Sequence, residues 1–408
     1  MSFNLEELSP RQAIHLKSQM VRCMLKKRLP AIRRADIFLT EDCNLACDYC
    51  FVYGKESCRR MSWETARKAI DFLIAESRDV QDITITFFGG EPLLEYPLMR
   101  QTADYAVLRA GENAKRVHFA VTTNGTIMNE DIAAFARCYN FNYLLSIDGD
   151  KESHNKHRKT VNGEGSWDIV TGPNFDLLKS IQGWMGIRIT VSPDTVERLS
   201  SGVRMLFERG VNQFLIGYDL DAEWSGAKLK LLALEMRKVA DFYFNQKSSG
   251  APIRITELDE TLGQRRERLH GLWSCDAGRG RVAISTSGEL YPCARFVRPN
   301  PDTEDYKLGD LESGITNLRV WFKLLSFGTD IRPKCITCSC HDVCAGGCPA
   351  ANLHTTGSIS NPPLITCVIT REAYKILAMN HLTKQRADQV ETAKVNPLRL
   401  RGHSIENQ

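Results

Sequence analysis

The chain has 408 residues, 43% hydrophobic and 25% charged, with a formal net charge of +4. That balance suits a soluble globular enzyme of two domains and is too weak to argue for nucleic acid or a membrane surface as partner. No apolar run approaches the ~20 residues of a membrane span, and the acidic N-terminus lacks an apolar h-region, so a cytoplasmic protein is expected.

Residues 1–34 read as a basic helical lead-in ending at "KKRLPAIRR". "ADIFLT" (35–40) is strand-like and runs into "CNLACDYC", which places Cys43, Cys47 and Cys50 on one loop. "MSWETARKAIDFLIAES" (61–77) has helical apolar spacing. Five more strand patterns follow: "ITITFFGG" (83–90), "VHFAVTTNG" (117–125), "YLLSIDG" (143–149), "GIRITVS" (186–192) and "QFLIGYDL" (213–220). Helix-like stretches separate them, so a parallel sheet with crossover helices is expected. Six units fall short of a closed eightfold barrel, and the fold class is an α/β partial (β/α)6 TIM barrel over 35–225. Cys43–Cys50, Gly89–Glu91, Asn124–Gly125, Ser146–Gly149 and Tyr218–Asp219 all fall at strand C-terminal ends, the edge where such folds do chemistry.

Residues 226–270 read as a charged, helical bridging segment. From Cys275 the character changes to a short hairpin turning at Ser287-Gly288 and ending at Cys293, followed by "CITCSCHDVCAGGC". So many cysteines in so polar a stretch point to a metal-held domain, placed at 271–370, before a C-terminal helix and tail over 371–408. The chain carries fourteen cysteines, and without a secretory signal these read as metal or redox sites rather than disulfides. Three thiolates on one loop suit a [4Fe–4S] cubane with one iron left open, or a zinc site lacking a fourth ligand.

The CxxxCxxC loop after the first strand, together with "GGEP" (Gly89–Pro92) after the second, resembles the radical S-adenosylmethionine (radical SAM) enzymes. The C-terminal cysteines resemble the SPASM extension of that superfamily: Cys275, Gly288–Cys293, Cys335, Cys338, Cys344, Cys348 and Cys367 fill its pattern. The resemblance implies that Cys43, Cys47 and Cys50 hold a cluster whose open iron binds S-adenosyl-L-methionine, and that a 5′-deoxyadenosyl radical forms there. It implies cofactor contacts at Tyr49, Gly89, Gly90, Glu91, Ser146 and Arg158. It further implies two auxiliary [4Fe–4S] clusters, three in all. One takes Cys335, Cys338, Cys344 and Cys367; the other takes Cys275, Cys293 and Cys348 and is one thiolate short, unless Cys23, Cys58, Cys138 or Cys340 fills the gap. Cys23 and Cys138 read instead as buried bystanders.

Sulfatase maturases of this superfamily have an aspartate base after the "YPC" cysteine, where this chain has Ala294. Asp219, Asp221 and Asp259 are weak substitutes. The expected activity is therefore modification of a ribosomally made, cysteine-containing precursor peptide by a crosslink such as a thioether. The alternative is a radical dehydrogenase or a maturase of a sulfatase or small molecule. Expected partners are that peptide and a low-potential electron donor of flavodoxin or ferredoxin type; with only 34 residues before the first strand, the leader is expected to be bound by a separate leader-binding protein, by the barrel itself or not at all; nucleic acid and membrane are not expected.

Overall fold

The computed structural model describes residues 30–52, 59–260, 264, 275–297, 306–325 and 333–395. The lead-in before residue 30, Cys23, Cys58 and the tail beyond 395 lie outside the described residues. Six parallel strands form in the expected places: β1 (Arg34–Thr40), β2 (Asp82–Gly89), β3 (Arg116–Thr123), β4 (Asn142–Ser146), β5 (Gly186–Val191) and β6 (Gln213–Tyr218). They lie side by side in chain order, each pair parallel. Crossover helices such as Trp63–Ser77, Tyr96–Glu112 and Leu199–Glu208 return the chain. The first is started by Ser62, whose side chain accepts from the Thr65 amide.

Alternation along the strands sorts the side chains. On β2, Ile83, Ile85 and Phe87 are buried while Thr84, Thr86 and Phe88 are half-buried. The buried set meets the helices, and Phe87, Phe119 and Phe141 stack face to face there, with centroids 4.8 to 6.1 Å apart. The half-buried set faces the concave side. On β4 and β5 that set includes Ser146, Arg188 and Thr190.

Two features extend the expected barrel. The segment read as a bridge holds the helix Gly226–Ser248 and then β7 (Arg254–Ile255), which pairs in parallel with β6. Part of it is therefore a further β/α unit, hidden in the sequence because its strand is two residues long. On the other side, the cysteine-flanked hairpin forms as expected from β8 (Arg281–Ile284) and β9 (Glu289–Tyr291). It does not stand apart, because β8 pairs in parallel with β1, from Arg34 with Arg281 to Ile37 with Ile284. Two-residue strands β10 (Gly309–Asp310) and β11 (Gly314–Ile315) complete an eleven-stranded sheet, ordered β11-β10-β9-β8-β1-β2-β3-β4-β5-β6-β7. The boundary expected at 271 lies outside the described residues.

A buried histidine supports the loop after β4. His154 is 0% exposed; its Nδ1 accepts from the Asp148 amide at 3.4 Å, and its Nε2 lies 2.9 Å from Ser166 Oγ. Ser166 Oγ donates to the Arg158 carbonyl at 2.7 Å, so it accepts from Nε2–H and the ring is neutral. Burial, and then the Arg158 charge, hold His154 down at about 3.

Two outcomes follow. Phe119→Ala, in the middle of the aromatic stack, should cost about 3–5 kcal/mol of stability in denaturant titration and leave the cysteine loops able to load iron. His154 stays neutral when folded but takes a proton near pH 6.5 when unfolded. Its contribution is complete above that pH and is lost as pH falls toward 3, at up to about 1.4 kcal/mol per unit. His154→Gln should therefore flatten the stability–pH curve between pH 6.5 and 4 relative to wild type; parallel curves would mean that the folded imidazole carries a charge.

Candidate active site at the strand C-terminal edge

The chain leaves β1 into the cysteine loop, and the end of β2 forms a seat for it. Gly90 donates its amide to the Thr40 carbonyl and Glu91 to the Asp42 carbonyl, both at 2.9 Å. A Cβ on Gly90 would lie 1.9 Å from the Asp42 oxygen, and one on Gly89 (φ +140°) 2.1 Å from the Thr40 oxygen. Glycine is required at both places because backbone packs on backbone immediately before Cys43.

Glu91 turns inward. It is 1% exposed, and its carboxylate accepts from the Leu93 amide, the Thr123 hydroxyl and the Asn124 amide at 2.7 to 3.1 Å. Burial pushes it up to about 7 against those three donors. The side chain thus locks the GGEP loop to the end of β3, and an approach to a bound molecule at this position falls to the backbone. Asn124 continues the chain of contacts, with Nδ2 2.9 Å from Asn44 Oδ1 and 3.8 Å from Cys43 Sγ.

Asp148, in the "SIDG" turn, is the hub of the opposite side. It is 3% exposed and takes the fork of Arg158 at 2.9 and 3.2 Å and the Thr190 amide at 2.8 Å. It also accepts from the Tyr49 hydroxyl. Burial pushes the Tyr49 hydroxyl well up, and Arg158 pulls it back only in part. Tyr49 and Arg158 are both expected cofactor contacts, and the structure brings them together through a carboxylate. Asp48 adds a second tie, because both its oxygens meet His157 Nδ1 at 2.9 and 3.0 Å while His157 Nε2 meets Ser192 Oγ at 2.7 Å. A cleft of ≈ 300 Å³ opens here, lined by Tyr49, His157, Ser192 and Asp219 among others. Ser146 sits half-buried at the end of β4, opposite Arg188. Asp148, Asp48, His157 and Ser192 were not singled out by sequence reasoning; the only signal was the acidic residue within "SIDG".

Electrostatic contacts among the C-terminal cysteines link Cys275, Cys293 and Cys348 with one another, and Cys335, Cys338 and Cys344 with Cys367. Cys293 is pushed up by burial and then by Cys348 and Cys275, and Cys275 is raised to about 11 by burial with Cys348 also contributing. Cys367 is raised by burial and by Cys344, Cys335 and Cys338. Cys340 is 2% exposed and interacts with Cys338 and Cys344, so it stands with the four-cysteine group. Cys138 is exposed rather than buried, because it ends the helix Glu130–Cys138 on the side away from the buried Ala133 and Ala136.

None of the cysteines of the described residues is in a disulfide. Among these residues no three His, Cys, Asp or Glu side chains converge tightly enough for a single metal ion. Soft thiolates in sets of three and four are donors that iron–sulfur clusters take.

A buried ion pair anchors the three-cysteine group. Asp36 of β1 is 0% exposed and takes Arg281 of β8 at 2.7 and 2.8 Å. Burial raises the Asp36 carboxyl against Arg281, and the amide of Ala294 also binds it. Each weak base candidate already has hydrogen-bond partners. Asp219 accepts from the amides of Asp221 and Ala222, both at 3.2 Å, closing its own turn. Asp221 meets His354 at 2.9 Å. Asp259 is held by Tyr243 at 2.5 Å and Arg254 at 3.1 Å.

Residues 37–172 match the Radical SAM superfamily. A serine-type anaerobic sulfatase-maturating enzyme of Bacteroides thetaiotaomicron is 30% identical over 339 residues, 75% of this chain and 80% of that protein. The solved structure of anSMEcpe with bound AdoMet and Cp18Cys peptide superposes with a TM-score of 0.71 at 21% identity, covering 87% of this chain and 99% of that one. SuiB of Streptococcus suis, bound to the precursor peptide SuiA, gives 0.58 at 16% identity, covering 90% and 82%. Among the described residues no helix is long and apolar enough to cross a membrane. The parallel partial barrel, its cysteine-rich C-terminal region and a relative that shares three quarters of its length make the chain an enzyme of the radical SAM superfamily, akin to the anaerobic sulfatase-maturating enzymes.

Proposed function

We propose that this radical SAM enzyme modifies a ribosomally made, cysteine-containing peptide, joining the thiol to carbon in a thioether. Cys43, Cys47 and Cys50 would hold the cluster that binds S-adenosylmethionine, which when bound supplies a 5′-deoxyadenosyl radical. The chain's own part is to orient and enclose. Gly89 and Gly90 seat the loop, Asp148 fixes Tyr49 and Arg158, and His157 holds Asp48. Cys335, Cys338, Cys344 and Cys367 would hold one auxiliary cluster, and Cys275, Cys293 and Cys348 a second.

The observation that carries the reading is the three-cysteine group. Cys340, the nearest extra thiol in sequence, stands with the other group. The β8 hairpin offers Arg281, already committed to Asp36. A peptide thiolate is a soft fourth ligand for iron, and binding it there would lower its pKa and hold it beside the carbon to be attacked. Relatives support a peptide substrate: the anSMEcpe and SuiB structures both carry one. The site at 294 disfavours sulfatase maturation, because Ala294 offers no base and Asp36 beside it is paired with Arg281. A flavodoxin- or ferredoxin-type protein is proposed as electron donor.

Anaerobically reconstituted protein should bind about twelve irons. Replacing Cys43, Cys47 and Cys50 together by alanine should remove about four irons and all cleavage of S-adenosylmethionine. Cys340→Ala should change neither iron content nor turnover. A cysteine-containing peptide should alter the spectrum of the cluster at Cys275, Cys293 and Cys348, and its serine counterpart should not. Loss of that cluster in Cys340→Ala would close the site and remove the thioether reading. Iron saturating at four per chain would exclude the C-terminal cysteines as ligands.

A further inference from the structure

Arg188 is an arginine on the concave face of the barrel. It lies on β5, opposite Ser146 of β4 and Leu215 of β6, in the half-buried alternation that faces inward. Its side chain leans away from β4 and toward the strand C-terminal edge, across Gly217 of β6. A Cβ on Gly217 would fall 2.3 Å from Arg188 Nη2 and 2.6 Å from its Cζ. Gly217 has an ordinary backbone conformation, since it is absent from the positive-φ glycines. Its lack of a side chain is therefore explained by the guanidinium that occupies the space. Among the described residues no hydrogen bond or salt bridge engages that guanidinium.

A second cation lies near the same end of β6. Arg295 follows Cys293 by two residues, and its guanidinium lies over the Phe51 ring at 5.1 Å, next to Cys50. It therefore stands between the cysteine loop and the three-cysteine group. Its Nε is buried without a hydrogen-bond partner. Its closest carboxylate, Asp221, is 3.9 Å away and is shared with His354. Arg188 and Arg295 repel one another. Glu257 attracts Arg188, Arg158 repels it, and Asp148 is already taken by the Arg158 fork.

Two guanidinium groups turned into one low-dielectric space, with donors unused, form a receptor for a planar anion. Holding two like charges close together in a recessed space is costly, so the arrangement is explained if a carboxylate completes it. The residues expected to meet the cofactor lie at the ends of β2 and β4, in the loop after β1 and after the helix that follows β4; Ser146 lies opposite Arg188, whereas the Arg188 side chain leans away from it toward β6 and Arg295 belongs to the C-terminal region. Resting on the peptide reading above, we propose that Arg188 and Arg295 together bind a carboxylate of the substrate, an aspartate or glutamate side chain or the peptide's C-terminus, and so set which residue is presented for modification. They act as specificity-determining residues, with Gly217 as the space that lets Arg188 reach.

The test uses the full chain, anaerobically reconstituted and saturated with S-adenosylmethionine. Titration calorimetry follows glutarate, its neutral diamide, and two capped peptides of sequence Gly-Cys-Gly-Asp-Gly and Gly-Cys-Gly-Asn-Gly. Glutarate should bind at least about tenfold more tightly than the diamide, and the Asp peptide than the Asn peptide. Arg188→Gln, Arg295→Gln and Gly217→Ala should each abolish the preference, while affinity for S-adenosylmethionine stays within about twofold, which also shows that the variants are folded. Equal binding of glutarate and its diamide by wild type overturns the proposal. So does a tenfold loss of S-adenosylmethionine affinity in Arg188→Gln, which would assign the pair to the cofactor's own carboxylate. Discrimination of glutarate with no binding of either peptide would support the carboxylate site and count against the peptide reading alone.

Discussion

The buried pairing of Asp148 with Arg158 is the interaction on which the candidate site rests. Four separate pieces of chain meet there: the cysteine loop through Tyr49, the turn after β4 through Asp148 itself, the following helix through Arg158, and β5 through the Thr190 amide. The two side chains are 8% and 2% exposed. Removing one partner from such a pair leaves a buried charge uncompensated and costs on the order of 3–5 kcal/mol. The pair adds little net stability over an apolar replacement, but it permits one arrangement and penalises the others. His154 serves the same end from behind, accepting from the Asp148 amide.

Asp36 repeats the device on the other side of the sheet. Fully buried on β1, it takes Arg281 of β8 and the amide of Ala294. β1 leads directly into Cys43, and β8 lies between Cys275 and Cys293. One strand thus carries both cysteine segments, and a carboxylate within it holds the second in place. What resembles an appended domain in sequence is joined to the barrel by a strand ladder and an ion pair.

The six barrel strands were legible in the sequence because each is an apolar run bounded by turn residues. So were the cysteine spacings, which are local. β7 was not, because two residues carry no period. The pairing of β8 with β1 was not, because register between segments some 245 residues apart leaves no local trace. Glu91 could be located but not oriented; only the three-dimensional contacts show its carboxylate turned onto Thr123 and Asn124. Arg188 read as one polar residue in a strand alternation, and its interest arises from Gly217, on the neighbouring strand.

The shortness of the terminal strands has its own bearing. An open sheet presents two rows of unpaired amides and carbonyls, which invite another chain to add as a strand. Here the sheet ends in β7 and β11, each two residues long among the described residues; β7 tapers from the six-residue β6, and β11 follows another two-residue strand, β10. Such blunt margins discourage edge-to-edge association between copies, and they offer too little backbone for a guest to be gripped by main-chain pairing. A chain entering this barrel would have to be read by its side chains, so tolerance to changes in its sequence should be narrow where those side chains meet the concave face and wide elsewhere.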